Sequence, residues 1–257
     1  MSKTIEEKAI AVIRSLETGD PDAVSYINPE KYIQHNLGVK DGLAGFGELL
    51  KLKPEEGFKA RVVRSFSDGD YVILHTEYDF FGPKVGFDIF RFEDGLIVEH
   101  WDNLSEIMPK NPSGRTQIDG ETQVSDLEKT ESNKKLITSF YNDVLIGGKS
   151  DKMKDYFNGD NYINHNPRIG DKLSGIFNAM EEFKKTGFSM GVKKLEKVFG
   201  RGNFILGVAE GDLNGNLASF YDLFRIENGK LAEHWDIVEV IPPKEKWQNS
   251  NGKFNFK

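Results

Sequence analysis

The stretch Asp88-Ile89-Phe90-Arg91-Phe92-Glu93-Asp94-Gly95-Leu96-Ile97-Val98-Glu99-His100-Trp101-Asp102 decides the fold, because it returns as Asp222-Leu223-Phe224-Arg225-Ile226-Glu227-Asn228-Gly229-Lys230-Leu231-Ala232-Glu233-His234-Trp235-Asp236. Upstream, Tyr32-Ile33-Gln34-His35-Asn36 returns as Tyr162-Ile163-Asn164-His165-Asn166, in the same order and at nearly the same separation. Self-similarity over such a span marks two copies of one folding unit. The expected layout is copy one over residues 1–110, a linker over 111–128 and copy two over 129–246. Units of that size bury enough surface to fold without cross-links.

Around the quoted stretch, each copy reads helices first and strands after. Thr4 and Glu7 are spaced as a capping box, and Ile5, Ala9, Val12, Ile13 and Leu16 recur at helical spacing up to Gly19. Asp20-Pro21 opens a short second helix, and a third spans Leu43–Leu50. From Phe58 the period changes to strands at Lys59–Ser67, Tyr71–Phe81, Val85–Glu93 and Leu96–Glu106. Copy two repeats the order, with strands at Val192–Phe199, Phe204–Asp212, Ala218–Glu227 and Leu231–Val240. Pro109–Ser125 lacks apolar periodicity and reads as a linker. Helices segregated before an antiparallel sheet make each copy α+β.

The composition excludes several classes of function. The chain has 257 residues and a net charge of −7, with no basic run interleaved with aromatics, so nucleic acid is not the expected partner. The absence of cysteine removes disulfides, thiolate metal sites and cysteine nucleophiles. No apolar run approaches the ~18–20 residues that span a bilayer, and Met1–Asp20 is unlike a signal peptide, so the expectation is a cytoplasmic protein with no membrane partner.

The hairpin register points to a candidate site. Asp94-Gly95 reads as a two-residue turn, which sets Glu93 opposite Leu96 and, with no interruption, Phe90 opposite Glu99 and Asp88 opposite Trp101. One face then carries Asp88, Phe90, Phe92, Ile97, Glu99 and Trp101, and in copy two Asp222, Phe224, Ile226, Leu231, Glu233 and Trp235. This face is apolar except for one Asp and one Glu, so it is expected to lie under the helices. Two acids facing an apolar interior do not both ionise easily, and a carboxyl group with a raised pKa serves general acid–base chemistry. The plainer reading makes each acid structural, paired with a Tyr, a His or a backbone N–H. His100, Asp102 and Arg91 fall on the opposite face and read as an interfacial ion-pair network; alternatively, strand twist or a bulge brings His100 into the pocket. His35, with His165 as its counterpart, lies where helices hand over to the sheet. It reads either as a proton shuttle or substrate-oxygen ligand, or as a turn cap. His75 aligns with Val208, so if it is catalytic only copy one is fully equipped.

These residues resemble the SnoaL-like group of the NTF2-like superfamily, through Tyr32–Asn36, Asp88–Arg91 and Gly95–Asp102. The resemblance implies two tandem cone-shaped α+β barrels, each a curved antiparallel sheet wrapped around helices with a pocket at the open end. It implies pairing through sheets, which a tandem copy would make within one chain as a pseudo-dimer, with further homodimerisation left open. Its characterised members include polyketide cyclases and ketosteroid isomerases, which move a proton next to a carbonyl with a pocket carboxylate or histidine. Carried over, this supports Asp88, His35 and the Trp101 strand as pocket candidates. The cyclase acid expected four residues after the tryptophan is Ser105 in copy one and Glu239 in copy two.

Two functions follow as expectations. One is a cofactor-free lyase or isomerase acting on a small carbonyl compound. There Asp88 or Glu99 moves the proton, His35 or His75 bonds the developing enolate, and Tyr32 and Trp101 meet the ligand, as do Tyr162, His165, Asp222, Glu233 and Trp235 in copy two. The other is a non-catalytic module that binds a small apolar or aromatic ligand in the same pocket. A metal site from His35, His75 and a carboxylate is disfavoured, because their spacing matches no metal signature and Val208 breaks the set. A purely structural pair with side-chain-filled interiors is the remaining alternative.

Overall fold

In the computed structural model, which describes residues 3–52 and 57–256, the chain divides into two units. One comprises Met1–Glu106 with Pro242–Lys257, the other Ile107–Ile241. Helix α1 (Ile5–Thr18) opens on the expected capping box: the Glu7 amide donates to Thr4 Oγ1 at 3.2 Å and the Thr4 amide to Glu7 Oε2 at 2.7 Å. It stops at Gly19, whose φ of 71° suits a residue without Cβ. Asp20 caps α2 (Pro21–Val24), and α3 (Gly42–Lys51) follows the short strand β1 (Ile33–Gln34). The strands β2 (Lys59–Asp68), β3 (Tyr71–Asp79), β4 (Pro83–Glu93) and β5 (Leu96–Glu106) complete a sheet in the order β1-β5-β4-β3-β2. β1 pairs parallel to β5, so the sheet is mixed rather than purely antiparallel. A side-chain core of Val12, Leu16, Phe46, Leu74, Phe90 and Phe92 fills the space between α1, α3 and the sheet.

The second unit repeats this plan. α4 (Thr130–Phe140) runs into a π-helical turn over Tyr141–Leu145, then come α5 (Met153–Tyr156), β6 (Ile163–Asn164) and α6 (Lys172–Thr186). The sheet of β7 (Met190–Arg201), β8 (Phe204–Leu213), β9 (Asn216–Glu227) and β10 (Lys230–Val240) has the order β6-β10-β9-β8-β7. Among the described residues, no helix is long and apolar enough to cross a membrane.

Two further features depart from the sequence expectation. The first is a β-bulge in the hairpin of each unit. The turn residues Asp94 and Gly95 have φ of 50° and 76°, and Glu93 faces Leu96 and Phe92 faces Ile97, as expected. Val98 is then left over, and the pairing resumes as Arg91 with Glu99, Phe90 with His100, Ile89 with Trp101 and Asp88 with Asp102. In the second unit Ala232 is the extra residue, and Asp222 comes to face Asp236. One inserted residue transfers everything beyond it to the other face. His100 and Asp102 therefore join Asp88, while Glu99 and Trp101 leave it.

The second feature is the stretch that reads as a linker. Ile107–Ser125 packs within the second unit, and Pro242–Phe256 packs within the first. Asn111 donates to the carbonyls of Asn164 (2.7 Å) and Ile169 (2.9 Å), and Asn249 donates to those of Asn36 (2.7 Å) and Val39 (2.9 Å). These arms carry almost no regular secondary structure and are held by side-chain-to-backbone hydrogen bonds, which is why they show no apolar period.

Candidate functional site

Each unit has an interior cavity on the helix-facing side of its sheet. In the second unit it measures about 320 Å³, with walls that include Val144, Phe157, Ile176, Phe220 and Phe224. In the first unit it measures about 100 Å³ and is lined by Leu16, Phe46, Phe80 and Phe90 among others. A larger depression of about 760 Å³ lies along α1, β2 and β3, but Arg14, Glu17, Lys59, Arg61 and Glu77 line it and Asp88 and His100 do not.

The bulge brings the polar groups of each interior cavity together. In the first unit, His100 Nε2 meets Asp88 Oδ1 at 3.1 Å, Tyr78 donates its hydroxyl to Asp88 Oδ2, and Asn36 Nδ2 donates to Asp102 Oδ2 at 2.7 Å. In the second unit, His234 Nε2 meets Asp222 Oδ1 at 3.0 Å, Tyr141 donates to Asp222 Oδ2 at 2.6 Å, and Asn166 donates to Asp236 Oδ2 at 2.7 Å. The tyrosines are not equivalent. Tyr78 comes from β3; counted from the residue opposite the aspartate, its place in β8 is Gly211. The second unit supplies its phenol from the start of the π-helical turn instead. Gly207 makes room, because a Cβ there would lie 2.5 Å from Tyr141 Oη. Two different elements thus deliver a phenol to the same carboxylate oxygen.

The histidines differ in a second way. His100 Nδ1 is 3.1 Å from Gln34 Oε1. The second unit has Asn164 in that position, one methylene shorter, and among the described residues its Oδ1 accepts only from the Asn166 amide at 2.9 Å. His234 Nδ1 has no hydrogen-bond partner among the described residues. Burial lowers the His234 pKa, but the bond to Asp222 and the charges of Asp236 and Asp222 outweigh it and raise the imidazole above its ordinary range. Burial, reinforced by the Asp222 charge, raises Asp236 against the opposing pull of His234 and Asn166. Tyr32 and Tyr162 line the two cavities with phenols that burial and nearby aspartates raise further above the normal range.

The residues expected beside these acids lie on the other face. Glu99 accepts from His35 Nε2 (3.0 Å) and Arg91 Nε (2.7 Å), and His35 stacks on Trp101 at 4.5 Å. Gly252 O meets His35 Nδ1 at 2.6 Å, and Phe256 covers Trp101 at 4.7 Å. Glu233, His165 and Trp235 repeat the cluster beneath Thr116, Asp119 and Gly120: His165 Nε2 meets Glu233 Oε1 at 2.9 Å, and Trp235 Nε1 donates to Asp119 O at 2.8 Å. The expectation that Glu99 and Glu233 share the apolar inner face with Asp88 and Asp222, where at least one acid of each pair would be raised, is therefore corrected for the glutamates. Burial alone would raise Glu99 and Glu233, but the histidine and arginine bonds hold both below the usual range. His75 lines neither interior cavity; its ring stacks on Phe87 at 4.3 Å, with Nδ1 3.1 Å from Arg64. Asp88, Tyr32, Asp222 and Tyr162 remain as cavity residues, whereas His35, His75, Glu99, Trp101, His165, Glu233 and Trp235 do not line the cavities.

Tyr78, His100, Asp102, His234 and Asp236 are the cavity groups that the unbroken register misses, and Tyr141, which bonds Asp222 without lining the cavity, is missed with them. One sequence signal bears on them: Arg91 and Glu99, like Arg225 and Glu233, are opposite charges kept in both hairpins, and pairing them across the strands requires the extra residue. As for metals, Asp88, His100 and Asp102 bring one ligand atom each within 4.8 Å of one another, but Tyr78 and His100 hold the Asp88 oxygens, Gln34 meets His100 Nδ1, Asn36 holds Asp102 Oδ2, and the remaining Asp102 Oδ1 faces the Lys253 ammonium at 3.7 Å.

No protein-family model matches the chain, and no curated protein matches it. Solved structures similar to it include an NTF2-like protein of unknown function from Cytophaga hutchinsonii (18% identity, 41% of this chain and 93% of that one, TM-score 0.36). Another is an NTF-2 like protein of unknown function from Burkholderia xenovorans (20% identity, 42% and 88%, TM-score 0.35). A third is TsrD from Streptomyces laurentii (18% identity, 39% and 87%, TM-score 0.34).

Proposed function

We propose that the interior cavity of the second unit is a site of proton transfer on a small, largely apolar carbonyl compound, working without a cofactor. The observation that carries this reading is His234. Its Nε2 is held by Asp222, which Tyr141 braces from behind, while its Nδ1 is left without a partner beside a cavity of about 320 Å³. A carboxylate bound at Nε2 keeps the proton there and leaves the Nδ1 lone pair to act as base. A raised pKa brings that base towards neutral pH, where proton abstraction next to a carbonyl is most effective. Tyr162, whose phenol stays protonated, lines the same cavity and is the candidate donor to the developing enolate oxygen. The first unit has the same acid and histidine, but Gln34 occupies the His100 nitrogen and the cavity is smaller. We read the two units as a tandem duplication in which the second keeps the working site, a reading supported by the shared strand order, hairpin turn and bulge.

The test is exchange of α-protons of small ketones such as phenylacetone in deuterium oxide, followed by NMR. The expected result is acceleration by the native chain, and a loss of about 10²-fold or more in His234→Gln and Asp222→Asn with the fold retained. Native protein that binds ketones without exchanging their protons would leave a binding module and remove the catalytic reading.

A further inference from the structure

The two units differ in one buried charge. Asp102 in the first unit and Asp236 in the second are equivalent: each faces the aspartate that holds the histidine, and each gives Oδ2 to an asparagine at 2.7 Å. In the first unit Lys253, 4% exposed, places Nζ 3.7 Å from the other oxygen, Asp102 Oδ1. The arms align through Asn111-Pro112-Ser113-Gly114-Arg115 and Asn249-Ser250-Asn251-Gly252-Lys253, which puts Arg115 at the place of Lys253. Arg115 turns away and pairs with Asp171 at 3.0 Å. Asp236 Oδ1 is thus buried with no hydrogen-bond partner among the described residues, in a residue 6% exposed that lines the larger of the two interior cavities.

We propose that Asp236 Oδ1 is a subsite for an ammonium or amine group, so that the second unit takes a small apolar ligand bearing one amine, in the way that Lys253 serves Asp102 in the first. The charges support this. His234 can balance one of Asp222 and Asp236 but not both, and a buried carboxylate without a countercharge is costly. A ligand cation supplies that countercharge where the apolar walls already favour its hydrocarbon part. The raised pKa of Asp236 is the same imbalance seen in the free protein. This inference rests on the cavity reading above and narrows its substrate to amine-bearing carbonyl compounds.

The test uses the full chain and two probes of one shape, 2-phenylethylamine and 2-phenylethanol, titrated by NMR at pH 7 with the signals of Phe220 and Phe224 as reporters. The expected result is binding of the amine about tenfold or more tighter than the alcohol, with the difference abolished in Asp236→Asn and kept in Asp102→Asn. Equal affinities, tighter binding of the alcohol, or a preference that survives in Asp236→Asn would overturn the amine subsite while leaving the cavity reading in place. If neither probe shifts the reporters at millimolar concentration, the amine subsite falls and the cavity reading falls with it.

Discussion

At the scale of single residues, what matters is which atoms of a buried group are already satisfied. Both ring nitrogens of His35 and both oxygens of Glu99 are bonded, and the two side chains are buried beneath a peptide segment, so neither presents an open atom to a ligand. His234 lies at the other extreme, with one nitrogen bound and one open. Its pKa has a consequence for stability. A histidine raised by folding contributes stabilisation that is fully present below its ordinary value of ~6.5 and is lost as pH rises through the folded value. The stability difference between the native chain and His234→Gln should therefore narrow as pH rises above about 6.5. Urea denaturation at a series of pH values checks this, and a constant difference would contradict it. The catalytic reading adds a rate that climbs over the same interval, because only the unprotonated imidazole is a base.

At the scale of elements, the bulge and the arms divide the sheet's two faces between different tasks. The extra residue at Val98, or Ala232, turns one run of Glu-His-Trp-Asp so that His and Asp look inward while Glu and Trp look outward. The arm over the outward cluster is fitted closely. Gly120 has φ of 95°, and a Cβ on it would lie 2.1 Å from Glu233 Oε1, 2.8 Å from Trp235 and 2.9 Å from His165. Gly120→Ala should therefore cost about 2–3 kcal/mol of stability in thermal or urea unfolding, combining overpacking with an unfavourable backbone conformation. Gly114 in the same arm, also at positive φ but with nothing near its missing Cβ, is the control and should cost about 1 kcal/mol.

At the scale of the whole molecule, the path of the chain makes the first unit depend on its last residues. Pro242–Lys257 belongs to the unit that begins the sequence, and it brings Asn249, Asn251, Lys253 and Phe256 to Gln34–Val39 and Trp101–Asp102. Ending the chain at Ile241 should abolish slow hydrogen exchange across Ile33–Val39 and Glu99–Asp102. It should also destabilise that unit by at least about 3 kcal/mol, since Asp102 loses its buried partner. Exchange at Glu233–Asp236 should stay slow, because Ile107–Ser125 still covers that unit. Exchange that slows or speeds equally in both units would contradict this division.

Much of this is legible in the sequence alone. The repeat, the helix caps and the Asp-Gly and Asn-Gly turns are set by local chemistry, that is, by side chains bonding to nearby backbone and by residues that tolerate positive φ. For that reason the helices, the antiparallel strands and the first two pairs of each hairpin follow from sequence alone. Which acid faces the interior does not. A bulge is chosen by what the far sides of the strands must satisfy: here Arg91 reaches Glu99 across the sheet, His35 stacks on Trp101, and an arm distant in sequence closes over both. Contacts between residues far apart in the chain leave no period in it. The cavity, the open nitrogen of His234 and the unmatched charge of Asp236 were therefore decided only when the tertiary structure brought those distant residues together.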